Sequence, residues 1–200
     1  MPTGFVSFLM TSCFAILLST GWFQGLGQEL AETSDRRLVI GLVFSAFVSF
    51  LEMPITERVI IHLHLLPLVI LFFRLLVLIK DEIRFVVFSS FLFVGAVLFL
   101  IDELKVIEPI WNLQLLDVGV ILFLLLCAFG IVHSLQERAC ILLGGILSAE
   151  VFALILYWPE RQWIGSGEMV SLVWFSLGVL MIMHIGWRRV FHWVKVWKQY

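Results

Sequence analysis

The sequence predicts an all-α, polytopic bundle of seven membrane-spanning helices, with the amino terminus outside and the carboxyl terminus in the cytoplasm. Three observations carry this prediction. Hydrophobic residues make up 62% of the 200 and charged residues 14%, against about 45–50% and about 25% in an ordinary soluble domain, and the mean hydropathy is +1.07. The apolar residues fall into seven runs separated by short polar connections. If the runs alternate in direction, Arg36, Arg37, Lys80, Arg84, Arg138, Arg188, Arg189, Lys195 and Lys198 share one side, and only Arg58, Lys105 and Arg161 the other. That is the positive-inside partition of a multi-pass plasma-membrane protein. A six-span alternative would make residues 38–54 or 85–101 re-entrant, and it spoils the partition.

The first run, residues 4–23, follows no basic residue and precedes no small-x-small cleavage signature, so it reads as a retained span. Ser7, Thr11, Ala15 and Ser19 form a four-residue small ridge along it, the kind of row that lets helices approach in lipid. A polar loop from Gln24 to Arg37 follows, in which Thr33, Ser34 or Asp35 is placed to cap the next helix. The second span, 38–54, repeats the ridge in Gly41, Ser45 and Ser49, and a tight reversal from Pro54 to Arg58 leads to the third span, 58–79.

The third span is the unusual one, because His62, His64, Pro67 and Arg74 interrupt its Leu, Ile, Val and Phe. As a helix interior, Pro67 would leave the Leu63 carbonyl without its amide partner and kink the span near its middle. His62 and His64 would lie about 200° apart on such a helix, facing nearly opposite ways, which argues against a metal site built on it alone.

The fourth span, 85–101, reads as plain packing; the loop from Asp102 to Gln114 holds Trp111 as an interface anchor. The fifth span, 115–133, begins near Asp117 and ends at His133; the sixth, 139–158, carries Gly144, Gly145, Ser148, Ala149 and Ala153, the densest small-residue face, together with Glu150. The seventh covers 170–187 and contains His184. In the tail, 188–200, Val190, Trp193, Val194 and Trp197 fall on one side of a helical wheel, and Arg188, Arg189, His192 and Lys195 on the other, with Lys198 beyond. Such a tail lies at the interface, against anionic headgroups of the bilayer, and either anchors the last span or docks another membrane protein.

With this topology the ionisable groups sort by depth. His64 lies about 9 Å and Glu150 about 12 Å in from the outer ends of their spans, with Glu52, His62 and Asp117 nearer the same face. Arg74, His133 and His184 lie toward the cytoplasm, where Arg74 snorkels. A lone charge at mid-bilayer costs on the order of 3 kcal/mol or more, so Glu150 is expected to meet His64 or His62. The pairing reads as a structural clasp, a substrate, proton or ion site, or a lipid-headgroup contact.

Catalytic and cofactor motifs are missing: no H-E-x-x-H, no phosphate-binding loop, no dinucleotide fingerprint and no C-x-x-C. Gly165-Ser-Gly167 lacks the frame of a nucleophile elbow, and Cys13, Cys127 and Cys140 lie singly in apolar runs. No metal or cofactor is expected. A net charge of −2 gives no basis for a nucleic-acid partner. Three function classes follow: a non-enzymatic scaffold or assembly protein, a small transporter or its substrate-binding subunit, and a membrane-embedded enzyme. The scaffold leads, because seven spans with no internal repeat differ from the matched halves of secondary transporters.

In length, in the seven-run layout and in the stretch from Arg36-Arg-Leu-Val-Ile-Gly-Leu42 to His62-Leu-His-Leu-Leu-Pro67, the chain resembles the small multi-pass proteins of spore-forming bacilli called YphA. The resemblance is one of layout over the whole chain. It implies a bacterial plasma-membrane protein and carries over no functional residue.

Overall fold

A computed structural model describes residues 5–48, 50–56, 59–63, 65–107, 113–157, 163–164 and 167–197. The described residues are helical apart from one small sheet and the turns between elements: α1 (Phe5–Ser19), α2 (Leu26–Ala31), α3 (Asp35–Val48), β1 (Glu52–Thr56), β2 (Val59–His62), α4 (Leu65–Leu78), α5 (Asp81–Ile107), α6 (Leu113–Ile131), α7 (Leu135–Tyr157), β3 (Trp163–Ile164) and α8 (Gly167–Trp197). Helices α5 and α7 are long and apolar enough to cross a bilayer.

Helix α7 is the hub. It packs against α2, α4, α5, α6 and α8, and residues 139–146 are buried without a break, so it is apolar all round rather than amphipathic. A capping box starts it: the Glu137 amide donates to Ser134 Oγ and the Ser134 amide to Glu137 Oε2, both at 3.2 Å. Its most extensive partner is α5, running parallel, so that Phe91, Gly95 and Glu103 stand level with Gly144, Ser148 and Tyr157. The small residues of the sixth run face this seam. A Cβ at Gly95 would run into Ser148 Oγ, and one at Gly145 would meet Val94 at 2.5 Å; only glycine permits so close an approach. Ser148 Oγ donates across the seam to the Phe91 carbonyl at 3.1 Å, and Phe91 meets Phe72 of α4 edge-on at 5.4 Å.

The long helices alternate between two ends. At the first, called here the basic end, α1 gives way to α2, α4 turns into α5 at Lys80, and α7 begins. At the other, the sheet end, β1 pairs antiparallel with β2, and β2 parallel with β3. Phe8 of α1 meets Phe50, just beyond α3, at 5.2 Å, and Phe14 of α1 meets Trp174 of α8 at 6.1 Å.

Several sequence expectations are corrected here. The second span stops as a helix at Val48, and the described residues of the third are the strand Val59–His62 and the 14-residue helix Leu65–Leu78 rather than one kinked span. The β-branched run Val59-Ile60-Ile61 suits a strand. Pro67 is the third residue of α4, in the first turn, where a missing amide costs nothing; the Leu63 carbonyl accepts the Leu66 amide at 3.0 Å. The reversal before it is a hairpin whose Thr56 pairs with Val59. Because the Leu63 amide bonds the Leu51 carbonyl at 3.0 Å, Glu52/His62 and Pro54/Ile60 are alternate, non-hydrogen-bonded pairs. Pro54 thus turns its amide-free nitrogen to the open edge of β1, where a strand tolerates proline.

The polar loop 24–37 contains α2, with Leu26 and Leu30 buried against the bundle, and the helix of the fourth run continues through Asp102 to Ile107. No break separates the last span from the tail: α8 runs 31 residues to Trp197, about 46 Å.

Candidate polar sites at the two ends

At the sheet end the chain joins two of the five residues expected in the outer cluster. His62 Nδ1 lies 3.4 Å from Glu52 Oε1, directly across the β1–β2 ladder, at a pair position where side chains come closest. His62 is 2% exposed, while the Glu52 side chain is 45% exposed. A half-exposed carboxylate therefore holds an imidazole that is out of reach of water. His62 stands on a strand, so the helical depth assigned to it does not apply. His64 lies outside the described residues, as does the side chain of Asp117, whose backbone is in α6. Glu150 is half-buried on α7, and two turns beyond it the Tyr157 hydroxyl donates to Glu103 Oε2 at 2.5 Å, tying α7 to the end of α5.

At the basic end His184 Nε2 lies 3.2 Å from Glu29 Oε2, joining α8 to α2. Asp35 seats α2 from the other side, its Oδ2 accepting the Gly25 amide at 2.8 Å and its Oδ1 the Gly27 amide at 2.7 Å. The capping candidates divide the work. The Ser34 carbonyl accepts the Arg37 and Leu38 amides at the start of α3, and the Asp35 carboxylate satisfies the Gly25 and Gly27 amides that open α2. Gly25 is left-handed at φ 82, and a Cβ at Gly27 would press on Asp35 Oδ1 at 2.9 Å.

Arg74 and His133 are exposed, on α4 and just past α6. Arg84 Nη1 pairs with Asp81 at 2.7 Å and its Nη2 donates to the Ile79 carbonyl at 3.0 Å. The Arg138 guanidinium sits 4.1 Å over the Phe129 ring, a cation–π contact between the last turn of α6 and the first of α7. Arg188, Arg189, Trp193, Lys195 and Trp197 belong to α8 by backbone, with side chains outside the described residues, and Lys198 lies beyond them.

Sequence reasoning missed the contact of Glu29 with His184, the reach of Asp35 back to α2 and the Glu103–Tyr157 bond. For α2 a signal existed: Leu26 and Leu30 are one turn apart and glycines flank the first of them. Chemically, both ends do the same thing, with carboxylates tethering an imidazole or backbone amides across elements. Among the described residues no three His, Cys, Asp or Glu side chains group as a metal site.

No family model, curated protein or solved structure matches this chain.

Proposed function

We propose that this chain is a seven-span protein of the bacterial plasma membrane, amino terminus outside and carboxyl terminus in the cytoplasm, acting as a non-enzymatic scaffold for other membrane proteins. One observation carries the membrane reading: large apolar side chains are exposed on most of the long helices, as with Phe47 at 74%, Val77 at 74%, Phe85 at 77% and Leu126 at 72%. Soluble monomers rarely show contiguous apolar patches beyond a few hundred Å². Beside α5 and α7, the apolar helices 8–19, 65–78, 118–131 and 171–186 support it. At 14 residues each, α3 and α4 reach only about 21 Å of a hydrocarbon core of about 30 Å. On this reading the sheet completes the depth near the outer leaflet, where its ladder and the buried His62 satisfy backbone and side chain inside protein. The basic, tryptophan-bearing end of α8 then lies at the cytoplasmic face beside anionic headgroups.

The scaffold reading is supported by what the polar groups do. Glu52, Glu29, Asp35 and Ser148 each hold one element of the protein to another. Extraction in mild detergent is expected to recover a second integral membrane protein in fixed stoichiometry. A chain that purifies alone and moves a solute across proteoliposomes would overturn this. Half-buried Glu150 in apolar α7 favours the second reading, a small transporter, and Glu150→Gln tests it: solute flux abolished without loss of folding supports transport, and unchanged behaviour removes that reading.

A further inference from the structure

Helix α2 is too short to hold itself. Its six residues, Leu26–Ala31, fall well below the roughly 12–15 at which an isolated helix becomes even marginal in water. Left-handed backbone closes both ends, Gly25 at φ 82 before it and Glu32 at φ 48 after it, and the second works against any residue with a Cβ. Contacts with neighbours therefore keep the segment in place. Leu26 and Leu30 are buried in the core, Asp35 of α3 binds the Gly25 and Gly27 amides, and His184 of α8 reaches Glu29 at 3.2 Å. These tethers differ in one respect. Apolar burial and the bonds of an ionised carboxylate to amides do not change near neutral pH, whereas an imidazole gains or loses its charge between about pH 5 and 8.

The charged groups around the pair have other duties or stand on other faces of the bundle. Among the elements packed on α8, α1 carries no charge, and the one charged residue of α6, Asp117, belongs to its opposite end. From α7 this end receives Glu137 and Arg138, engaged by Ser134 and by the Val132 carbonyl and the Phe129 ring. Around α2, Asp35 is bound to its two amides, Arg36 and Arg37 are exposed on α3, and Arg74 of α4 is exposed with a contact of its own. On α8 itself Arg188 and Arg189 open the next turn, with side chains outside the described residues. We infer that His184 and Glu29 form a proton-sensitive latch, clamping α2 to α8 more tightly as the pH falls. Both side chains are partly open to water, 22% and 35% exposed, so a proton comes and goes without unfolding. A protonated ring makes an ion pair with Glu29, and a neutral ring makes one ordinary hydrogen bond. Because the carboxylate favours the charged ring, the latch is strongest on the acid side of the imidazole range, while Glu29 stays ionised, and weakens as pH rises through it. Helix α8 runs on from His184 to Trp197, so the latch fixes where its basic, tryptophan-bearing end leaves the bundle.

Hydrogen exchange of the full chain in detergent tests this, read by mass spectrometry at about pH 5.5 and 7.5, either side of the imidazole range, and corrected for the intrinsic amide rates. Protection of α2 is expected to be about threefold higher at the lower pH, the weight of an ion pair this open to water. The α5–α7 seam, which contains no histidine, serves as the reference and should not change. His184→Gln and Glu29→Gln each keep a hydrogen-bonding group and remove one charge, and either should abolish the pH dependence at α2. Equal protection of α2 at both pH values, a change of the same size at the seam, or a pH dependence that persists in folded His184→Gln overturns the latch. None of these outcomes touches the membrane reading above, on which the latch does not depend.

Discussion

Along the α5–α7 seam, two helices run side by side so closely that side chains at Gly95 and Gly145 would collide with the facing helix. Between α3 and α4 the chain abandons the helix altogether, pairing Glu52–Thr56 with Val59–His62. Both regions are oily in sequence, yet one is held by packing and the other by a ladder of backbone bonds and one histidine–carboxylate contact. In lipid the hydrophobic effect does not distinguish such solutions, because a helix gains nothing by leaving its neighbours for acyl chains of equal oiliness. Local chemistry decides: small residues at four-residue spacing make a seam, whereas β-branched residues ahead of a proline make a strand.

The comparison breaks first at the seam. Gly95→Leu is expected to destabilise the protein by about 3 kcal/mol or more, as overpacking does where backbone cannot yield, read as loss of the folded species on thermal unfolding in detergent. A tolerated leucine would mean the seam is no tighter than the hairpin. Next in size, Asp35→Ala removes the acceptor of two amides and should cost about 2 kcal/mol, with faster hydrogen exchange at Gly25 and Gly27. At the sheet end the effect should be unequal: His62→Ala, emptying a buried position, is expected to cost about 2 kcal/mol, and Glu52→Ala, half-exposed, under about 1 kcal/mol. Equal costs would show that the contact, rather than burial of the ring, holds the hairpin. Smallest, on the membrane reading, is Ser148→Ala, about 0.6 kcal/mol for one bond between helices in lipid.

Part of this is legible in the sequence alone. Gly144, Gly145 and Ser148 stand out in the sequence as the densest small-residue face, whereas Gly95 reads as plain packing, and the contact of His184 with Glu29 that joins α8 to α2 has no signal in a loop read as irregular. The hairpin is not legible, because apolar runs of strand length look alike in strand and helix, and Pro67 reads as an interior residue until the start of α4 at Leu65 puts it in the first turn. The pairing of Glu52 with His62 depends on ladder register, which no helical depth argument supplies. Asp35 was seen as a cap but for the wrong helix: its carboxylate reaches back ten residues to Gly25, a contact set by how α2 folds under the bundle.

The central claim is that lipid is the solvent for the exposed apolar faces, with the long helices passing through it alternately. Single cysteines placed near each terminus, in a chain with Cys13, Cys127 and Cys140 replaced, test this with a membrane-impermeant thiol reagent on intact cells. Labelling at the amino-terminal end alone until the cells are opened is the result expected. Labelling of both ends from the same side, or recovery of the chain in the aqueous fraction, would contradict the account.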